Sequence, residues 1–563
     1  SIMSGGKTYS SFKAAYERNE DMAYFAPRVD LYDQAEDIAR EVGFSEEEIF
    51  IAPSMGRDCP TYRGENEEKW DGTNWRQIME KQSAAKAMPK SIHKHHDNIP
   101  CSPSGEDGHK CPYELAWEAY DPQQHKVLIG HFSHAHLGHL IAGRHLVFDE
   151  KTSDAFTNTL SGNDLIEAVN AFLSLDGSPP ADTFTDLLEA RNDPRREERI
   201  SGWFNNHDLE PDEENALNHY DEGFNAYAPH AVYTILHANP VEEGSAHHRC
   251  YINSVDTVAR FFSTDDQHGE YEVAIRKRPD LDNGKSVIAL DGTPLVIEDS
   301  KYPSDVPEKS AQLGVKLEHE KILTDDERRE YVRHTLGHRY IQTSQAIKPY
   351  SSGKYNSPTE DKTLLHGITE QYGDGEPPVV TTSKKPADEY RAKGFVEDGV
   401  AKEIAHTGSL RGTNDYADTR LAAQLGSSHH GDHAIAARAA WLNEGIDPSG
   451  RGHNRDYGSE LGNKILDQMR EQTTLQNVLR FGRDGQGATI ILHTAAFPDW
   501  LPIYAEGEVT PWSDGQREVV TALDELFISS GTSLTVNEIH AHDAVSVSKT
   551  SVRSSLKQLA DGY

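Results

Sequence analysis

The chain has only four cysteines in 563 residues, too few for a disulfide scaffold. It has no run of about 18 apolar residues, so no membrane span is expected. No secretory leader is recognisable, and a cytoplasmic location is expected. Basic residues are in deficit: 56 Lys plus Arg face 92 Asp plus Glu, a formal charge of −36. The acidic residues are spread through the chain, not gathered in a tail. That distribution matches a protein kept soluble in very high salt, as in a cytoplasm that balances osmotic stress with salt. It makes strong nonspecific attraction to phosphate backbones unexpected. A local basic channel stays compatible with it, because molar salt screens charge to within about 3 Å. The length suits three or four domains with sizeable cores.

Two further absences lie at the start. Residues 1–8 read Ser-Ile-Met-Ser-Gly-Gly-Lys-Thr. A Gly-Gly-Lys-Thr run turns tightly, aims backbone N–H groups at a phosphate, adds a lysine charge and supplies a hydroxyl for Mg²⁺. The full phosphate-loop pattern opens on a glycine where Ser1 stands. A phosphate loop also follows a buried strand, and no residues precede Ser1 to form one. The chain is read as a fragment, or as short of a few N-terminal residues, with an ATP site missing one supporting strand. A helix is expected at 9–18, a strand at 22–27 and a helix at 30–41. Strand signals recur at 126–130 and 144–148, the second ending in Asp149-Glu150. An apolar run ending in adjacent carboxylates sets both beside a phosphate loop. Asp149 is expected to hold Mg²⁺, and Glu150 to orient and deprotonate the attacking water. Gly5, Gly6, Lys7, Thr8 and Asp149 are the expected ATP-binding residues, with Thr8 and Asp149 on Mg²⁺.

Between these motifs, residues 55–118 lack apolar periodicity and are dense in Gly, Pro and His. They hold Cys59, Cys101 and Cys111, with His93, His95, His96 and His109. Such a segment needs something besides a large core, and three thiolates with one imidazole would hold a metal. No Cys-x-x-Cys is present. His95 is taken as the fourth ligand, with His93 and His109 left as alternatives.

Residues 152–285 are acidic and read as largely helical, including 163–175 and 183–200. Trp203, Phe204 and tyrosines 220, 227 and 233 suit core packing or stacking on bases. A buried strand at 286–295 meets the turn Asp291-Gly292-Thr293. A strand at 377–382 and a helix at 386–393 then open a second domain. A polar, glycine-broken loop runs from Gly408 to Tyr416, followed by strands at 421–425 and 488–493. A helical pattern over 458–475 feeds Gln476, Arg480 and Arg483. Spacings of four and three place these three on one helical face. Planar guanidinium groups there suit the γ-phosphate of an ATP held by a neighbouring domain, so all three are assigned to catalysis with Lys7, Asp149 and Glu150.

This order of motifs resembles a superfamily 2 helicase of the XPD/DinG-like group over roughly residues 1–500. Gly6-Lys7-Thr8 resembles motif I, and Tyr24-Phe-Ala-Pro-Arg28 the strand and turn of motif Ia. Val147-Phe-Asp149-Glu150 resembles motif II, with Lys151-Thr152 replacing the usual alanine and histidine. Ala289-Leu-Asp-Gly-Thr293 stands in the place of motif III. Gly408-Ser-Leu-Arg411-Gly-Thr-Asn414-Asp415 resembles motif V, and Gln476, Arg480 and Arg483 resemble motif VI. The resemblance implies an α/β fold with two RecA-like P-loop NTPase domains. The first is expected over 1–54, 119–151 and 286–300, and the second over 340–500. It implies a metal-binding cysteine/histidine-rich insertion at 55–118 and a mainly helical, arch-like insertion at 152–285. Helicases of this group carry a four-cysteine iron–sulfur domain, and Cys111-Pro112-Tyr113 matches its last ligand. One cysteine is absent here, so Zn²⁺ is expected, with [4Fe–4S] as the alternative. DNA contacts are expected from Arg28, Lys384, Arg411 and Asn414.

Residues 513–563 read as three short helices resembling a winged-helix DNA-binding segment, or as a unit packed on the motor. The last helix carries Lys549, Arg553 and Lys557; Lys549 and Arg553 are assigned to nucleic acid. The expected function is an ATP-dependent DNA helicase or translocase acting on single-stranded or forked DNA, with replication or repair proteins as partners. The alternative is an ATP-binding regulatory or replication-initiation DNA-binding protein with a degenerate helicase core. A nuclease is disfavoured, since no second carboxylate cluster has a coherent histidine partner.

Overall fold

The computed structural model describes residues 6–65, 67–70, 72–76, 78–79, 93, 99–101, 110–149, 152, 155–207, 209, 225–264, 269–292, 294–297, 306–410, 415–507, 513–530 and 533–561. The first sheet is five-stranded and wholly parallel. Its spatial order is Ser286–Leu290, His145–Asp149, Met22–Ala26, Val127–His131, Ile49–Ile51. Met22–Ala26 is buried along its whole length, as a central parallel strand covered on both faces must be. Helix Asp30–Val42 buries Leu31, Tyr32, Ala35 and Ala39, an apolar stripe at helical spacing. It packs with helix Lys7–Arg18 on one face, around Phe12, Tyr24 and Ile129. The other face is closed by Phe25, Leu128, Phe132 and Phe148.

A second parallel sheet has six strands, in the order Glu403–His406, Val379–Thr382, Leu421–Leu425, Ala488–His493, His338–Gln342, Ile503–Glu506. One face packs on Tyr350, Leu365 and Tyr390, the other on Tyr340, Leu479 and Phe481. The fold class is α/β, with two RecA-like domains and a Cys/His cluster in an insertion of the first. The strands at 49–51, 338–342, 403–406 and 503–506 were not expected from sequence.

Residues 152–285 contain the expected helices and also something not foreseen. Helices Gly162–Leu173, Phe184–Ala190, Pro194–Phe204 and Ala228–His237 pack on a five-stranded antiparallel sheet. The single helix expected over 183–200 is two, because Asp193 caps a new helix that starts on Pro194. The sheet was hidden by its polar residues. Arg260 and Arg276 are buried on adjacent strands, and their guanidinium groups stand 5.6 and 4.1 Å from the ring of Trp441 in the second domain. Residues that would ordinarily face water are here a junction between units.

The C-terminal helices Asp514–Ser530, Val536–His540 and Lys549–Asp561 share a small core of Val519, Ala522, Ile539 and Val552. Among the described residues no helix is long and apolar enough to cross a membrane.

Candidate nucleotide site and metal-ligand cluster

Helix Lys7–Arg18 begins after Gly6, whose φ of +64° lies in the left-handed region that glycine adopts without penalty. That turn brings Thr8 to the carboxyl ends of the parallel strands, where open α/β sheets bind ligands. Asp149 ends the strand between Met22–Ala26 and Ser286–Leu290. Thr8 Oγ1 donates to Asp149 Oδ2 at 3.0 Å, across 141 residues of sequence. The Tyr24 hydroxyl donates to the same oxygen at 2.5 Å. Tyr24 is 2% exposed, so the carboxylate is held from below by the core. Sequence reasoning placed Tyr24 at the start of the motif Ia match but gave its hydroxyl no role. Gly5 and Glu150 lie outside the described residues.

In the second domain the helical-face reading of Gln476, Arg480 and Arg483 needs correction. The helix Thr473–Val478 ends before the arginines, and Gly482 follows with φ +54°. A Cβ on Gly482 would lie 2.9 Å from that of Ala488, so this left-handed turn position requires glycine. Gln476 is on the helix, Arg480 is buried in the turn, and Arg483 Nε donates to the Leu479 carbonyl at 2.8 Å. Burial, reinforced by the Arg483 charge, pushes His338 down to about 4. A buried amide chain ties the end of this helix to the sheet. Asn477 Nδ2 donates to Gln424 Oε1 at 3.1 Å and to Thr407 Oγ1 at 3.2 Å. Thr381 Oγ1 donates to the same Gln424 oxygen at 2.7 Å. Thr407 directly precedes the loop that starts at Gly408, so this loop is joined to the helix that leads into the turn.

Of the expected nucleic-acid residues, Arg411 and Asn414 lie outside the described residues. Arg28 is paired with Asp30, and Lys384 with Asp388 at 2.7 Å. Lys549 and Arg553 are exposed on the C-terminal helix.

The cysteines of the insertion do converge. Cys59, Cys101, Cys111 and His93 place one donor atom each within 4.8 Å of one another. Cys59 Sγ is 3.6 Å from Cys101 Sγ and 3.8 Å from His93 Nε2, and Cys101 Sγ is 3.5 Å from the same nitrogen. This set fits a single metal ion. The imidazole present is His93; His95 and His109 lie outside the described residues. Hydrogen bonds from Cys111 and Cys59 hold the Cys101 thiol far below its ordinary range. The same contacts with Cys101 and Cys59 hold Cys111 above it. Met55, Trp75, Met79, Ile99 and Tyr113 pack around the sulfurs as a small separate core. Cys59 caps the helix Pro60–Arg63, and Cys111 precedes the helix Pro112–Glu118, so two ligands sit at rigid helix starts.

No protein-family model matches this sequence, and no curated protein is significantly similar to it. Among solved structures, the chain is similar to an XPD helicase with a TM-score of 0.41 at 11% identity, over 87% of this chain and 91% of that one. It is similar to Xpd4 of S. tokodaii at a TM-score of 0.39 and 9% identity, over 94% and 92%. The DUF1998 helicase MrfA bound to DNA and AMPPNP gives a TM-score of 0.18 at 8% identity, over 93% of this chain and 50% of that one.

Proposed function

We propose that this chain is an ATP-driven motor that moves on single-stranded DNA and separates duplex strands. The observation that carries this reading is the meeting of Thr8 and Asp149 at 3.0 Å, at the carboxyl ends of a parallel sheet and beside a glycine turn. A hydroxyl and a carboxylate so placed are hard oxygen donors of the kind Mg²⁺ takes. Mg²⁺, when bound, supplies charge neutralisation at the transferring phosphoryl group. In this reading Lys7 and the N–H groups around Gly6 bind the phosphates. Tyr24 orients Asp149, and Glu150 takes the proton of the attacking water. Arg480 and Arg483 approach from the second domain when the cleft closes. The joined helix end and loop, through Asn477 and Thr407, then change the grip on the strand.

The cluster in the insertion is read as a zinc site. A tetrahedron with zinc–sulfur bonds of about 2.3 Å and a zinc–nitrogen bond of about 2.0 Å has edges of about 3.5–3.8 Å. The Cys59, Cys101 and His93 separations are 3.5–3.8 Å. A four-iron cluster would interpose its own cube of atoms and spread the ligands further.

The test is ATP hydrolysis in molar KCl with and without single-stranded DNA. Stimulation by DNA is expected, and Glu150→Gln is expected to bind ATP with most turnover lost. Hydrolysis unchanged in that variant refutes the assignment of Glu150. No ATP binding at all by the parent chain refutes the motor.

A further inference from the structure

The last helix of the chain departs from a pattern seen on several others. On several other exposed helices, a cation is matched by a carboxylate four residues away. Lys13 pairs with Glu17, Arg40 with Glu36, Lys384 with Asp388, Lys393 with Glu389 and Lys464 with Glu460. Helix Lys549–Asp561 has no acidic residue before its final Asp561, so Lys549 and Arg553 have no carboxylate four residues away on it, and Lys557 has only that last one. Lys549, Arg553 and Lys557, spaced by four, form one exposed stripe on it. None of the three takes part in an ion pair among the described residues. In a chain of charge −36, an unmatched row of three cations faces a strong surplus of acids and has paired with none.

The rest of the unit holds that stripe outward. Val552 and Ser555 are buried, and Leu556 and Leu559 pack inward on Val519, Ala522 and Ile539. The connection before the helix is fixed to the first helix of the unit. Ser546 and Val547 donate to Glu518, and His542 lies 3.3 Å from Glu525. Glu518 and Glu525 are thus already engaged. Thr550 and Ser554 stand exposed beside the cations, offering hydroxyls that donate and accept.

We propose that this helix docks in the major groove of duplex DNA, with Lys549, Arg553 and Lys557 on phosphates and Thr550 and Ser554 toward base edges. A helix of about 10–12 Å diameter fits the B-form major groove of about 12 Å. The deep, narrow major groove of A-form RNA does not admit it. Two helices joined by a pinned connection, with the second presented outward, is the arrangement that places a recognition helix in that groove. The proposal does not rest on the ATP site: it concerns duplex DNA and needs no nucleotide.

The test uses the full chain without ATP, and a fluorescent duplex of random sequence titrated across a range of KCl concentrations. The variant Lys549→Ala/Arg553→Ala/Lys557→Ala is expected to bind about tenfold or more weakly at low salt. On the falling limb, once repulsion from the acidic surface is screened, the slope of log affinity against log salt should shrink by up to about 2.7, since each phosphate contact contributes about 0.9. Thermal unfolding should be unchanged, because all three side chains are exposed. Lys549→Arg/Lys557→Arg should bind like the parent. A triple variant with parental affinity and slope overturns the proposal. So does a parent chain that prefers duplex RNA or an acidic peptide over duplex DNA.

Discussion

Glu471 lies on the helical segment that leads into Gln476, with Asp467 and Asp499 near it. Burial, followed by those two carboxylates, raises its carboxyl to about 7 against the opposing charge of Arg470. The folded state therefore holds a proton between the ordinary glutamate range and about pH 7 that the unfolded chain has released. Stability from this group is greatest at low pH and is lost as pH rises through that window. Glu471→Gln removes the titration. The variant is expected to gain thermal stability over the parent at pH 8 and to match it near pH 5. Equal differences at both pH values would show that Glu471 carries its charge when folded. At this scale, local motifs were legible and partners were not. Lys7, Thr8 and Asp149 could be named because a phosphate loop and an acidic strand end are short contiguous patterns. The hydroxyl of Tyr24 on Asp149 depends on strand order, which no run of residues encodes. The choice of His93 depends on the path of the chain through an insertion with little periodicity.

At the scale of elements, the segment after Ser286–Leu290 joins the two parallel domains. Leu295 and Ile297 pack with Ile435, Tyr457 and Ile465 of the second domain. Beside them Arg438 makes a two-pronged pair with Glu308, at 2.9 Å through Nε, with side chains 14% and 8% exposed. Lys309 Nζ donates to the Leu290 carbonyl at 3.2 Å, so the strand end and the ion pair are successive links. Removing one member of a buried pair strands the other charge. Arg438→Ala is expected to cost about 3–5 kcal/mol in urea unfolding, and Arg438→Leu/Glu308→Leu much less. A double variant as unstable as the single one would show that the pair itself, not the stranded charge, matters. The insertion permits a parallel test. Chelation should release backbone protection over Pro112–Glu118 while Val127–His131 stays protected in hydrogen exchange, because the sheet has its own core. Protection that is unchanged on chelation would mean the small core of Trp75, Met79 and Tyr113 suffices alone. Elements with continuous apolar runs, such as 22–26 and 488–493, were legible. Those of the middle sheet were not, since Arg260 and Arg276 are polar for the sake of Trp441.

For the whole molecule, a charge of −36 must coexist with the DNA contact proposed for it. A strand track across the carboxyl ends of both parallel sheets would use backbone N–H groups around Gly408–Gly412, of which those of Gly408 and Ser409 donate to His406 in the free chain, and the cations Arg28 and Lys384. Those two cations are matched in the free chain by Asp30 and Asp388. The phosphate backbone would have to displace these exposed carboxylates, and exposed pairs of this kind are worth about 0–1 kcal/mol, so the exchange is nearly free. The larger obstacle is repulsion from the remaining acidic surface, which acts over about 10 Å at about 0.1 M salt and about 3 Å at about 1 M. Salt thus has two opposing effects. It lowers the entropy gained when counterions leave the DNA, which weakens binding steadily. It also removes the long-range repulsion, which permits approach. The second effect saturates once the screening length is shorter than the distance from the track to the acidic surface, and the first does not. Affinity for single-stranded DNA is therefore expected to rise, pass through a maximum and fall as KCl goes from about 0.1 to about 3 M. Binding should be measured with folding followed in the same samples. A steady fall over the range in which the chain stays folded would mean that a locally basic surface dominates and that the acidic exterior exerts no force at the track.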